Sequence, residues 1–190
     1  MTATFTKTLR IKVKPNSWAW LDRGRVEVNQ VWNWANATSA KAARPFVGRG
    51  KWLSGFDLCK LSSGATEHFD FIGAETIQKV CTEYATRRKQ SKRTKLRFRK
   101  SAGSKQSLGW IPFKAASLRR TKRSNIVRFC GKSIRLFEEL PTKWLEGQFA
   151  QDALGQWWLS LPVEIAATDA PAPRAAVGVD LGLKDLAVTQ

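Results

Sequence analysis

One carboxylate in this chain stands where metal chemistry would want it. In "VGVDLGLKDLAVTQ" (residues 177–190) an apolar run delivers Asp180 to the end of a strand, and Gly182 permits a left-handed turn just after it. A carboxylate held at such a turn is a hard-oxygen ligand suited to Mg²⁺, and an aspartate there also serves a purely structural turn. One carboxylate cannot by itself assemble a two-metal hydrolytic site. The other metal-binding residue types are sparse: one histidine, His68, and three widely separated cysteines, Cys59, Cys81 and Cys130. They exclude a zinc ribbon built from this chain alone and point to a reducing, cytoplasmic setting.

The second chemistry is electrostatic. Lys and Arg total 33 against 15 Asp and Glu, and 18 of the basic residues fall between Tyr84 and Phe137, where no acidic residue occurs. The rest of the chain is neutral, so one continuous segment carries the whole net charge of +18. Solvated faces intersperse both signs, and a stretch this long without carboxylates implies a polyanionic partner, nucleic acid first. The candidate phosphate contacts are Arg87, Arg88, Lys92, Arg93, Lys95, Arg97, Arg99, Lys100, Lys114, Arg119, Arg120, Lys122 and Arg123. Arginine dominates the paired clusters, and its planar fork suits bidentate phosphate contact. Phe98, Trp110 and Phe113 are interleaved with them, either as base-stacking rings or as core, the reading favoured here.

These side chains need a scaffold, and 43% hydrophobic content with nine tryptophans supports a folded one. No apolar run is long enough to span a membrane, and "MTATFTKTLRIKVKP" has no secretory core. Alternation in "FTKTLRIKV" predicts a strand with Phe5, Lys7, Leu9, Ile11 and Val13 on one side. Val28, Val31, Trp32 and Ala35 predict one helical face, with Trp32 in the core and the helix fading at Asn36 and Ser39. Ser54 is a predicted N-cap for "GFDLCKL", and Ile77, Val80, Cys81 and Tyr84 form the stripe of a further helix, with Cys81 as buried filler.

Beyond residue 94, "KLRFR", "LGWIPF", "NIVRFC" and "SIRLF" read as short strands. "GQFAQDALGQWWLSLPVEI" reads as a hairpin with its turn at residues 153–156, Trp157 in the core, and Pro162 marking an edge or bulged arm. The expected fold class is α+β: a small antiparallel, OB-like β-barrel with an inserted helical lobe. Its parts are a first strand at 1–15, helices at 16–93, the remaining strands at 94–165, a Pro/Ala linker at 166–176, and a new beginning at 177–190.

The string "VGVDLGLKDLAV" resembles the first RuvC motif of the TnpB (OrfB-type) transposon-encoded RNA-guided endonucleases. The likeness runs along the chain in order, through "LRIKVKP", "VEVNQVWNWAN", "SGFDLCKL", "AETIQKVCTEYATRRKQ", "LRFRK", "SLGWIPF" and "FAQDALGQWWLSLPVEI". It implies a wedge barrel with a helical recognition lobe, followed by the truncated start of an RNase H-like domain. It also implies guide RNA and target DNA as partners, and Asp180 as the first metal-binding carboxylate of a Mg²⁺ nuclease. The helix carrying Gln78 and Lys79 is similar to the one that reads a short DNA motif beside the target.

The family's later Glu, second Asp and paired cysteines have no counterpart here. The chain is therefore expected to be inactive alone, as a gene fragment or as one part of a nuclease completed by a C-terminal half. A standalone RNA- or DNA-binding regulator derived from such a nuclease is the alternative. A nucleotide-binding kinase fold, which shares the "DLG" turn, fails because nothing around Asp180 supplies the rest of it.

Overall fold

The computed structural model describes residues 4–44, 48–166, 179–180 and 188–189. Residues 6–164 form one compact unit, and residues 1–5 with 165–190 form a second. Strand β1 (Thr4–Lys12) is followed by three helices, α1 (Trp18–Ala43), α2 (Gly55–Leu61) and α3 (Ala74–Ser91). Six strands follow: β2 (Trp110–Phe113), β3 (Arg119–Arg120), β4 (Ile126–Phe129), β5 (Lys132–Arg135), β6 (Gly147–Gln151) and β7 (Trp157–Ala166). In the second unit, β8 (Val179–Asp180) pairs antiparallel with β9 (Val188–Thr189). No helix among the described residues is long and apolar enough to cross a membrane.

The strands make an open four-stranded sheet, ordered β1-β7-β6-β2, and a three-stranded sheet, β3-β4-β5. The two meet at a single antiparallel bridge, Val13 to Leu136, where Val13 also donates its N–H to the Trp157 carbonyl at 2.9 Å. The expected barrel is thus not closed among the described residues, because β2 and β3 each keep an unpaired edge. Edge position suits Pro112, which has no N–H for a second neighbour. Pro162 corrects the expectation made for it: its strand β7 is flanked by β1 and β6. The β6 pairing ends at Ser160, and past it the Pro162 carbonyl accepts the Leu145 N–H at 2.8 Å.

One core holds the sheets and helices. Phe113, Phe129 and Phe149 meet as a triad with centroids 5.3–5.5 Å apart. Trp157, Leu159, Leu161 and Val163 point inward from alternate positions of β7, as a period of two requires. On α1 the buried stripe is Leu21, Val28, Val31, Trp32 and Ala35. Gly24 lies on it too: a Cβ there would stand 3.1 Å from Ile111 Cδ1, so the missing side chain lets the helix settle on β2. Cys81 is buried, which pushes its thiol up to about 12. Ser54 caps α2 as expected, its hydroxyl accepting from the Asp57 N–H while the Asp57 carboxylate accepts from the Ser54 N–H.

Two local expectations fail for one reason. "KLRFR" is no strand, and α1 does not fade at Asn36 but continues to Ala43 with Asn36 and Ser39 fully buried. Asn29, Asn33 and Asn36 share a helix face and act as partners for the extended chain at residues 96–101. Asn36 donates to the Leu96 carbonyl (2.7 Å) and accepts from the Leu96 N–H (2.9 Å). Asn33 does the same with Arg99 (2.9 and 2.8 Å), and Asn29 donates to Ser101 Oγ (3.1 Å). A carboxamide carries one carbonyl and an NH₂, so it replaces the ladder a neighbouring strand would have supplied.

Candidate nucleic-acid interface

This asparagine zipper positions the centre of the cationic segment. With the Leu96 and Arg99 peptides bonded toward α1, both residues are half-buried, and Lys95, Arg97, Phe98 and Lys100 are left exposed. The zipper continues upstream into the basic end of α3. Arg87 and Lys89 are exposed, and Lys92 closes the helix in the left-handed region at φ 53°. Positive side chains at a helix C-terminus also complement its dipole.

The three-stranded sheet presents the second group. Pairing sets Arg119 directly opposite Arg128, on the face away from buried Val127, Phe129 and Ile134. Like charges directly opposite one another destabilise a sheet unless something neutralises them. No carboxylate forms an ion pair with either arginine: the ion pairs among the described residues involve only Arg25, Lys51 and Lys79 as cations. Lys122 and Arg123 in the β3–β4 turn, and Arg135 on β5, are likewise exposed. Arg128 and Arg135 are absent from the sequence-derived candidates although they lie inside the same carboxylate-free run. Their alternation with Val127 and Ile134 marks them as outward-facing.

Several expected contacts are bonded to the protein's own carbonyls, Arg88 buried, Arg99 half-buried and Arg120 at the surface. Arg88 is a correction: only 3% exposed, it donates to the Leu53 carbonyl at 2.7 Å and lies over the Trp52 and Tyr84 rings, so it meets no phosphate at the surface. Arg99 donates to Asn29 Oδ1 and the Leu108 carbonyl, both at 2.6 Å. Burial, with the charges of Arg87 and Arg25, lowers the pKa of that guanidinium. Arg120 donates to the carbonyls of Leu140, Pro141 and Thr142 and stacks on Trp144.

Lys79 is paired with Glu146 and Glu83. Burial opposes its charge, but the two carboxylates hold its pKa above the ordinary value. Lys114 donates to Gln78 Oε1 at 2.9 Å, which brings those two candidates together. Arg93 stands exposed beside Lys92. Of the interleaved aromatics Phe113 is core, Trp110 is half-buried with its Nε1 bonded to Gln148, and Phe98 is exposed, with Lys95 over its ring at 4.6 Å.

Asp180 is placed as a backbone position, opposite Val188 in the β8–β9 ribbon. Gly182, and residues 167–176 of the expected linker, lie outside the described residues. Among the described residues no group of three or more His, Cys, Asp or Glu converges on one point. The donors that are described therefore do not fit a two-metal site, and no hydrolytic step follows from them.

Fold and surface together define a class: a mixed helix and antiparallel-sheet protein presenting cationic side chains without carboxylate partners. Against known proteins, no family model matches the chain and no curated protein matches it. Among solved structures it is similar to a protein in the cryo-EM structure of the Cas12f1–sgRNA–target DNA complex, with a TM-score of 0.48 and 16% identity over 98% of this chain. The chain spans about half (54%) of that protein's length. Neither a shared fold nor a function follows from a likeness at that level.

Proposed function

We propose that this chain binds guide RNA and target DNA as the N-terminal portion of a TnpB-like RNA-guided endonuclease, acting in the cytoplasm. The observation that carries the reading is the exposure, without carboxylate partners, of Arg87, Lys95, Arg97, Lys100, Arg119 and Arg128 along one carboxylate-free stretch of sequence. Each cation that neutralises a phosphate releases condensed counterions, which favours binding and makes it salt-dependent. The asparagine zipper supports the same reading, because it holds the basic backbone in place and leaves Lys95, Arg97 and Lys100 exposed, while Asn29 takes up Arg99. The resemblance around "VGVDLGLKDLAV" supplies the particular family. On it, Asp180 is one carboxylate of a Mg²⁺ site, and cleavage belongs to a complete nuclease domain.

The test is the quadruple variant R119E/K122E/R123E/R128E, which leaves Arg120 and its three carbonyl partners intact. Its affinity for a structured RNA should fall at least about tenfold, with the log–log salt slope reduced by roughly 0.7–0.9 for every phosphate no longer neutralised. Far-UV circular dichroism checks that the fold survives. An unchanged slope removes this face from the interface, and a parent protein that ignores RNA at low salt refutes the reading altogether.

A further inference from the structure

A second set of cations lies outside the basic segment. Along β1 and the extended residues just after it, Ile11 and Val13 turn into the core, so Arg10, Lys12 and Lys14 fall on the opposite face, about 7 Å apart at two residues per step. Three like charges in a row would ordinarily be interspersed with carboxylates. Here each lies over an aromatic ring. Arg10 is 5.0 Å from the Trp158 ring centre, and Lys12 is 5.7 Å from Trp158 and 5.9 Å from Phe137. Lys14 is 5.4 Å from Phe137. The order along the face is therefore cation, ring, cation, ring, cation.

The Trp158 ring and the Phe137 backbone are anchored. Trp158 Nε1 donates to Asp152 Oδ2 at 2.8 Å, and Asp152 Oδ1 is held by the Leu154 and Gln156 N–H groups at 3.0 and 2.8 Å. The indole bond comes first among the causes holding the Asp152 carboxyl below its ordinary value, and the charge of Lys12 comes last, so the nearest acid chiefly orients the ring. Phe137 is pinned through its N–H to the Lys12 carbonyl at 3.0 Å, yet its side chain remains 55% exposed.

We propose that this face of β1, β7 and the end of β5 is a binding site for single-stranded nucleic acid, with Phe137 and Trp158 receiving unstacked bases and Arg10, Lys12 and Lys14 the intervening phosphates. One-for-one alternation of ring and cation matches the alternation of base and phosphate along an extended strand. An anionic lipid surface would instead meet a contiguous apolar patch with charges at its rim. The Trp158 ring, already fixed in orientation, loses little freedom on binding. The inference rests on the nucleic-acid reading above and adds to it a separate, strand-type-specific site.

The experiment uses the full chain carrying Phe137→Ala, a change at an exposed ring that leaves the core intact, with urea unfolding as the check. Binding is measured by fluorescence anisotropy to a short single-stranded oligonucleotide, the same strand with abasic positions, and the matching duplex. The variant should bind the single strand at least about fivefold more weakly and the duplex equally well, and its deficit should vanish on the abasic strand. A parent protein that binds both strand types with no Phe137 dependence overturns the inference and leaves the cationic interface standing. A parent that binds neither overturns both. Phe137-dependent binding to phosphatidylserine vesicles, with none to oligonucleotides, overturns it in favour of a lipid surface.

Discussion

Replacing Asn36 by alanine tests whether the basic segment is presented by the zipper or merely tethered at its ends. Asn36 is fully buried and takes part in three hydrogen bonds: to the Leu96 carbonyl at 2.7 Å, from the Leu96 N–H at 2.9 Å, and from the Tyr84 hydroxyl at 3.2 Å. Leu96 is half-buried, so its peptide regains water as the chain lifts away, whereas the Tyr84 hydroxyl stays in the interior. An unmet buried polar group costs about 1–3 kcal/mol, which places the global loss at about 1–3 kcal/mol.

The local consequence is more specific. Residues 95–100 hold Lys95, Arg97, Arg99 and Lys100, so a detached backbone becomes a cluster of trypsin sites. Limited proteolysis read by mass spectrometry should show early cleavage after Lys95 and Arg97, and RNA affinity should fall although no charge has been removed. A urea-unfolding loss below about 0.5 kcal/mol, with an unchanged cleavage pattern, would refute the zipper's role.

Two further outcomes follow from close approach and from charge. A Cβ on Gly109 would lie 2.3 Å from Trp157 Cη2, in the fully buried centre of the core, so Gly109→Ala should cost at least about 1–3 kcal/mol in urea unfolding. Asp57 has its carboxyl held at about 2 by the Ser54 N–H, the Ser54 hydroxyl and Lys51. Because the folded value lies below the ordinary 3.8, the α2 cap contributes fully above about pH 4 and is lost as pH falls through about 2. Carboxyl-carbon NMR of Asp57 should titrate in that window, and a midpoint near the ordinary value would show that the capping box does not persist in solution.

Local chemistry was legible in the sequence where a residue's fate depends on near neighbours. The Ser54 cap, the α3 stripe of Ile77, Val80, Cys81 and Tyr84, and the inward alternation of Trp157, Leu159 and Leu161 all stand in the structure. The failures share a cause. Asn36 looked like a helix end because asparagine disfavours helix interiors in isolation, and its partner lies 60 residues further along the chain. Pro162 looked like an edge marker because β1, which makes its strand an interior one, comes from the far end of the sequence, and the β6 ladder that would need its N–H stops at Ser160.

By itself the sequence determined that positive charge is segregated along the chain, since no carboxylate stands in sequence among the 18 cations between Tyr84 and Phe137. Only the tertiary structure decided which of them are already bonded within the protein. Arg88, Arg99 and Arg120 are turned onto the carbonyls of Leu53, Leu108 and residues 140–142, while Arg119 and Arg128 are left side by side on an open sheet face. Only that structure set Arg10, Lys12 and Lys14 against Trp158 and Phe137, because strand register joins residues more than a hundred positions apart. Composition fixes how much charge a chain carries, and packing fixes where a ligand can reach it.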